Sequence, residues 1–155
     1  MLFLLFNIGK DRYVIEANRV VEVTPLVALA TLPQAPRGFA GIMNYRGRPL
    51  PVLDLCQLTS DRAAAERLST RIIILKQGAG RESSRLVGII AEQVTQTLRK
   101  DPAEFIHSGV ENASAPYLGP VFLDSVGAIQ WIDTDRLLSN DFRRLIFSDS
   151  LALSA

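Results

Sequence analysis

The chain has 155 residues, 48% of them hydrophobic, and its 17 Lys and Arg against 16 Asp and Glu give a formal net charge of +1. That length suits one domain or two small subdomains on a shared core, and the near-cancellation of charge speaks against a nucleic-acid binder, which carries a basic excess or stripe. A single cysteine and a single histidine exclude an internal disulfide and a zinc site of the usual ligand set.

The opening Met-Leu-Phe-Leu-Leu-Phe has no basic flank and no small-residue cleavage site, and no stretch approaches the ~20 apolar residues of a membrane span, so the reading is a soluble cytoplasmic protein. Leu2 to Ile8 is predicted to be a strand, turned at Gly9-Lys10-Asp11 and returned by Arg12 to Ile15. Glu16 to Arg19 is a single helical turn. Val20 to Val23 is a strand that puts Val20 and Glu22 on one side and Val21 and Val23 on the other. Val27 to Leu32 is a candidate resumption of that strand after Pro25.

Gly38 to Leu55 reads as a β-hairpin. Ile42 to Tyr45 enters it, Arg46-Gly47 makes a two-residue turn with Gly47 free to take positive φ, and Leu50 to Leu53 leaves it. Pro49 and Pro51 lack a backbone donor, which predicts an edge position or an unpartnered side. Asp54 is placed to cap a short helical turn, Leu55 to Leu58.

Thr59 to Ser69 is polar and alanine-rich and reads as a linker between two halves, so deleting Asp61 to Arg67 is expected to leave the fold intact. Arg71 to Lys76 and Leu86 to Ala91 are buried strands, Gln77 to Ser84 is a loop, and Val94 to Leu98 is a further strand. Ile106 to Pro116 is loop-like. Tyr117 to Leu123 and Val126 to Ile132 form a last hairpin. Asp133 or Thr134 then caps a C-terminal helix carrying Leu137 and Leu138, extended by Leu145, Ile146 and Phe147. The count is about ten short strands, five on each side of the linker. The predicted fold class is mostly β: two small five-stranded, SH3-like barrels packed side by side, with short helices and a C-terminal helix. The whole of 1–155 is one domain, divided into subdomain 1 (about 1–58), a linker (about 59–69), subdomain 2 (about 70–138) and a C-terminal helix and tail (134–155).

Catalysis finds no constellation. A Ser-His-Asp arrangement would have to use His107, which reads as a solvated loop residue. Cys56 reads as a buried structural thiol with no basic neighbour in sequence. Gly78-Ala79-Gly80-Arg81-Glu82-Ser83 is half a dinucleotide fingerprint, without the third glycine or a following helix. No enzyme activity, cofactor or metal is therefore expected. Binding is the better case. Arg46 sits on a hairpin tip, where a rigid scaffold presents it to solvent. From the residues alone, Glu22 and Arg46 read equally well as recognition groups or as a weak pair of solvated charges.

Asn44-Tyr45-Arg46-Gly47 followed by Pro51-Val52-Leu53-Asp54-Leu55 resembles the signature of CheW-type chemosensory coupling proteins. Phe6-Asn7-Ile8-Gly9, Val20-Val21-Glu22-Val23, Leu86-Val87-Gly88-Ile89-Ile90 and Tyr117-Leu118-Gly119 resemble further parts of the same domain, in the same order, over roughly Leu2 to Leu138. The resemblance implies the two-barrel architecture. It also implies a non-catalytic adaptor that couples chemoreceptors (methyl-accepting chemotaxis proteins) to a CheA-type histidine kinase, cytoplasmic and recruited to membrane-associated receptor arrays. Carried over by position, it places Val20, Glu22, Gly41 and Arg46 at the surface that meets the receptor's helical tip. For the kinase's regulatory domain it offers exposed apolar side chains among Met43, Tyr45, Leu50 and Val52. The competing reading, an oligonucleotide-binding small-barrel protein, predicts a basic groove with exposed aromatics. The aromatic content of 7% and the near-neutral charge count against it.

Overall fold

The computed structural model describes residues 1–77, 85–110, 112–138 and 142. The N-terminal hairpin forms where the apolar pattern places it, as β1 (Leu2–Ile8) and β2 (Asp11–Glu16). A 3-10 turn, Ala17–Arg19, leads into β3 (Val20–Pro25). The central hairpin is β4 (Phe39–Tyr45) and β5 (Arg48–Asp54). At its tip Arg46 and Gly47 have φ of 52° and 82°, the paired positive values of a type I′ turn, and Asn44 Oδ1 accepts the Gly47 N–H at 2.8 Å. Asp54 caps α1 (Leu55–Ser60), accepting from the Cys56 N–H at 2.9 Å and the Gln57 N–H at 3.4 Å. The remaining strands of the described residues are β6 (Arg71–Gln77), β7 (Arg85–Arg99), β8 (Leu118–Leu123) and β9 (Ala128–Ile132).

The fold is mostly β, as the sequence predicts, and its strands divide into two five-stranded groups. The first runs β3-β6-β7-β5-β4 and the second β7-β1-β2-β9-β8. The groups differ from the expected halves in two ways. Leu86–Ala91 and Val94–Leu98 are not separate strands but one, β7, whose first part pairs with β5 and β6 and whose second part pairs with β1. The groups also interleave in sequence. β1 and β2 pair with β7 and β9 rather than with β3 to β5, so 1–58 and 70–138 are not the hydrogen-bonded units. Among the described residues neither ladder closes by strand pairing. One antiparallel bridge ties the segment after one edge strand to the other edge: Ala30 with Ile42 in the first group and Ile106 with Val121 in the second. Ala30 is all that Val27 to Leu32 contributes in place of a strand. Pro49 and Pro51 pair with β4 alone, because parallel pairing of β5 with β7 starts beyond them at Val52.

The apolar side chains sort into three clusters. Met43, Leu50, Val52, Ile72, Ile74 and Ile90 fill the first group, and Phe3, Val14, Phe105 and Ile129 fill the second. The largest cluster lies between the groups, where Ile73, Leu75 and Ile89 meet Phe6, Ile15 and Ile132. This explains the unbroken run Ile72-Ile73-Ile74-Leu75, since a strand buried on both faces has no polar side to alternate with. The described part of the expected C-terminal helix begins as a 3-10 turn, Thr134–Arg136, capped by Asp133. Leu137, Leu138 and Phe142 are buried in the cluster between the groups. Leu145, Ile146, Phe147, the tail and the loop Gly78 to Ser83 lie outside the described residues.

Asp61 to Arg67 is not a free linker. Ala64 packs against two of the apolar clusters and donates its N–H to Asp54 at 2.9 Å. The Ala65 N–H and the Arg62 guanidinium both donate to Glu92, the latter at 2.7 and 3.2 Å, and the Gly9 N–H reaches the same carboxylate at 3.0 Å. Glu92 is 8% exposed, and the Arg62 hydrogen bonds, helped by the two backbone donors against the effect of burial, pull it down to about 2. One polar side chain of the segment, Arg62, and its backbone serve to satisfy a buried carboxylate, while Asp61, Glu66 and Arg67 remain exposed. Deleting Asp61 to Arg67 is therefore expected to lower the melting temperature by more than ~5 °C. A melt superimposable on that of the full chain would contradict the packed strap. Glu92 also sets an acid dependence. Its folded value lies below the ordinary 4.5, so its contribution to stability is complete above that pH and is lost as pH falls towards about 2. Glu92→Gln should be less stable than the wild type at neutral pH and should show a shallower decline between pH 4.5 and 2 in urea titrations.

Candidate functional site

The first ladder's two edge strands, β3 and β4, face each other across the gap that Ala30 and Ile42 bridge. The predicted recognition residues sit on these edges. The Tyr45 hydroxyl, at the end of β4, donates to Glu22 Oε2 on β3 at 2.5 Å. Arg46, the next residue, donates from Nη2 to the same oxygen at 3.3 Å, and its guanidinium carbon lies 5.2 Å from the Tyr45 ring centroid. The Glu22 bond raises the Tyr45 hydroxyl above its ordinary value, with burial adding to it. The Arg46 side chain is 76% exposed and Glu22 39%, so their contact is a surface ion pair that leaves both charges open to a partner. The I′ turn is what projects Arg46. A groove of about 320 Å³ lies beside the turn, lined by Tyr45, Gly47, Arg48, Pro49, Leu50 and Leu86.

The other predicted site residues do not join this cluster. A register shift between Val20 and Glu22 turns the two onto opposite faces. Val20 pairs with Leu75 and packs on the cluster between the groups, whereas Glu22 pairs with Ile74, which belongs to the cluster inside the first group. No local sequence signal marks that shift, which depends on the pairing with β6. Gly41 is buried, with φ of 149°. A Cβ there would lie 2.7 Å from the Ala30 carbonyl oxygen and 2.8 Å from Leu29 Cβ. Its role in the structure is to let the bridging segment approach β4. Met43, Leu50 and Val52, expected among exposed apolar contacts, are 5%, 3% and 0% exposed. They are core residues, because the inward positions of β4 and β5 are what fill the first group. Tyr45, placed with them by sequence, belongs to the Glu22–Arg46 cluster, and its long-range partner on β3 is what the sequence does not reveal.

The groups weighed for chemistry stay apart. Burial pushes the Cys56 thiol up to about 12, with Glu92 and Asp54 adding to the shift. His107 is exposed, and its Nδ1 accepts the Gly109 N–H at 3.0 Å within its own loop. Among the described residues no group of three or more His, Cys, Asp and Glu could hold a metal ion, and no helix is long and apolar enough to cross a membrane.

The family model of the CheW-like domain matches residues 2–142. The chain belongs to the CheW-like domain family. It is similar to a chemotaxis protein CheW of Klebsiella aerogenes, 27% identical over 97% of this chain and 84% of that protein. It is also similar to protein FrzA of Myxococcus xanthus, 28% identical over 93% of this chain and 89% of the relative. Among solved structures the scaffolding protein TtCheW from Thermoanaerobacter tengcongensis has the same fold, with a TM-score of 0.77 at 20% identity over 91% of this chain and 89% of the other. The protein is thus a CheW-type protein by family and by fold, and not an enzyme. Within this CheW-like fold, Gly41→Ala is expected to cost about 2 kcal/mol or more, because the added Cβ meets backbone that cannot yield without breaking the Ala30–Ile42 bridge. A lowered urea midpoint is the expected result. An unchanged midpoint would show that the close approach is dispensable.

Proposed function

We propose that this CheW-like protein couples the cytoplasmic tip of a chemoreceptor to a CheA-type histidine kinase, and that the β3–β4 edge is its receptor-facing surface. On this reading the protein works in the cytoplasm, recruited to membrane-associated receptor arrays. The observation that carries it is the Arg46 guanidinium, raised on a rigid I′ turn, largely exposed and flanked by Glu22. A chemoreceptor tip is a helical hairpin. The groove beside Tyr45 and Leu86, of mixed polar and apolar lining, offers such a helix a seat, while the charges of Arg46 and Glu22 set its register. Arginine suits the role because its planar fork makes directional paired hydrogen bonds to carboxylates or carbonyls. Kinase docking calls for apolar area other than the buried Met43, Leu50 and Val52, and Ile106, Leu123 and Val126 supply exposed apolar side chains in and beside the second group. Coupling then consists of holding receptor and kinase on one rigid body, with signal passing as a difference in affinity between two arrangements.

Arg46→Ala tests this directly. The variant should melt within about 0.5 kcal/mol of the wild type, as an exposed residue does. Its affinity for a soluble receptor-tip fragment should fall by roughly 2 kcal/mol, with affinity for the kinase regulatory domain largely kept. A normal melt with both affinities unchanged would return Arg46 to the pool of ordinary surface charges.

A further inference from the structure

Of the three side chains in the β3–β4 cluster, Tyr45 is the one anchored in the core. Its ring is half-buried and packs against the cluster that fills the first group. Glu22 and Arg46 have flexible, exposed side chains, one on β3 and the other on the turn beyond β4, so alone each would sample many rotamers. Tyr45 gathers both. Its hydroxyl takes Glu22 Oε2 at 2.5 Å, and Arg46 lies near the ring, with its Nη2 on that same oxygen. Both contacts fall on Oε2, and among the described residues none falls on Oε1. The edge therefore presents an available carboxylate oxygen and the unused donors of a guanidinium side by side. Side chains three or four positions apart on one helix face lie about 5–6 Å apart between their Cβ atoms, close enough for one to meet the carboxylate and the other the guanidinium.

We propose that Tyr45 is a positioning residue that fixes Glu22 and Arg46 relative to one another, and thereby sets the site's preference for a helix bearing an acidic and a basic side chain one turn apart. The proposal rests on the reading of this edge as the receptor-facing surface. It assigns a hydroxyl, not a charge, as the group that makes the pair specific. Tyr45 does so by removing rotamer freedom before the partner arrives, so that less is lost on binding.

The test is a double-mutant cycle read by titration against a soluble helical-hairpin fragment of a chemoreceptor tip. The four proteins are wild type, Tyr45→Phe, Arg46→Ala and the double variant, each checked by thermal melt. Tyr45→Phe keeps the ring and its packing and loses only the hydroxyl. It should bind about 3- to 10-fold more weakly, and Arg46→Ala at least about 10-fold more weakly. The double variant should be no more than about 2-fold weaker than Arg46→Ala, because the two changes remove one shared arrangement. A merely structural tyrosine would shift the melt and leave the Arg46 loss unchanged in the phenylalanine background. Losses that multiply independently, or wild-type affinity in Tyr45→Phe, overturn the positioning role. Wild-type affinity in Arg46→Ala overturns the receptor-facing reading itself and the proposal with it, an outcome visible without reference to Tyr45.

Discussion

The bend in β7 is the constraint on which the rest of the molecule depends. A strand that serves two ladders must change direction between them, and it does so at Glu92 and Gln93, where Gln93 takes φ of 49° and the pairing with β1 slips by two residues. A bulged strand leaves backbone donors of its neighbourhood without ladder partners. At this bend the Glu92 carboxylate accepts from two donors outside the ladders, the Gly9 and Ala65 N–H groups, and pairs with Arg62 of the strap. Asn7 completes the junction by donating to the Gln93 side chain at 3.1 Å. One acidic side chain thus ties together the N-terminal hairpin, the shared strand and the segment after α1, which are otherwise distant in sequence.

Because β7 is shared, each ladder has two free edges, and both are managed the same way. Among the described residues one backbone bridge joins them, and an aromatic contact lies beside it. In the first group these are Ala30–Ile42 and the Tyr45–Glu22–Arg46 cluster. In the second they are Ile106–Val121 and the Lys100 ammonium, 4.1 Å from the Phe122 ring centroid. The proposed recognition residues of the first group therefore lie on a seam, a place where the fold's own hydrogen bonding is incomplete. That location explains how charged side chains there can be hydrogen-bonded to one another yet open to a partner.

What was legible in the sequence was local. The N-terminal hairpin, the I′ turn at Arg46-Gly47, the Asp54 cap and the doubly buried run of β6 each follow from a few adjacent residues, and each is found. What was not legible depends on contacts across the chain. The polar pair Glu92-Gln93 reads as a break between strands, and only the pairing of β1 with β7 shows it to be a bend within one. Asp61 to Arg67 reads as solvated because its buried partners, Asp54 and Glu92, lie elsewhere in the sequence. In the site, Arg46 was visible from its turn, whereas the side of β3 on which Glu22 emerges is fixed by β6, and Tyr45's partner by the approach of β3 to β4.

The interleaved order of the strands has a consequence for how the chain is made. β1 and β2 leave the ribosome well before their partners, β9, which pairs with β2, and the second part of β7, which pairs with β1. The first group cannot act as an early folding unit either, since its central strand is the same β7. No nascent fragment ending before β7 contains a complete ladder. The early hairpins must therefore wait with their edges and apolar faces uncovered, and folding is gated by contacts of large sequence separation, the circumstance that slows β-rich chains and calls on chaperones.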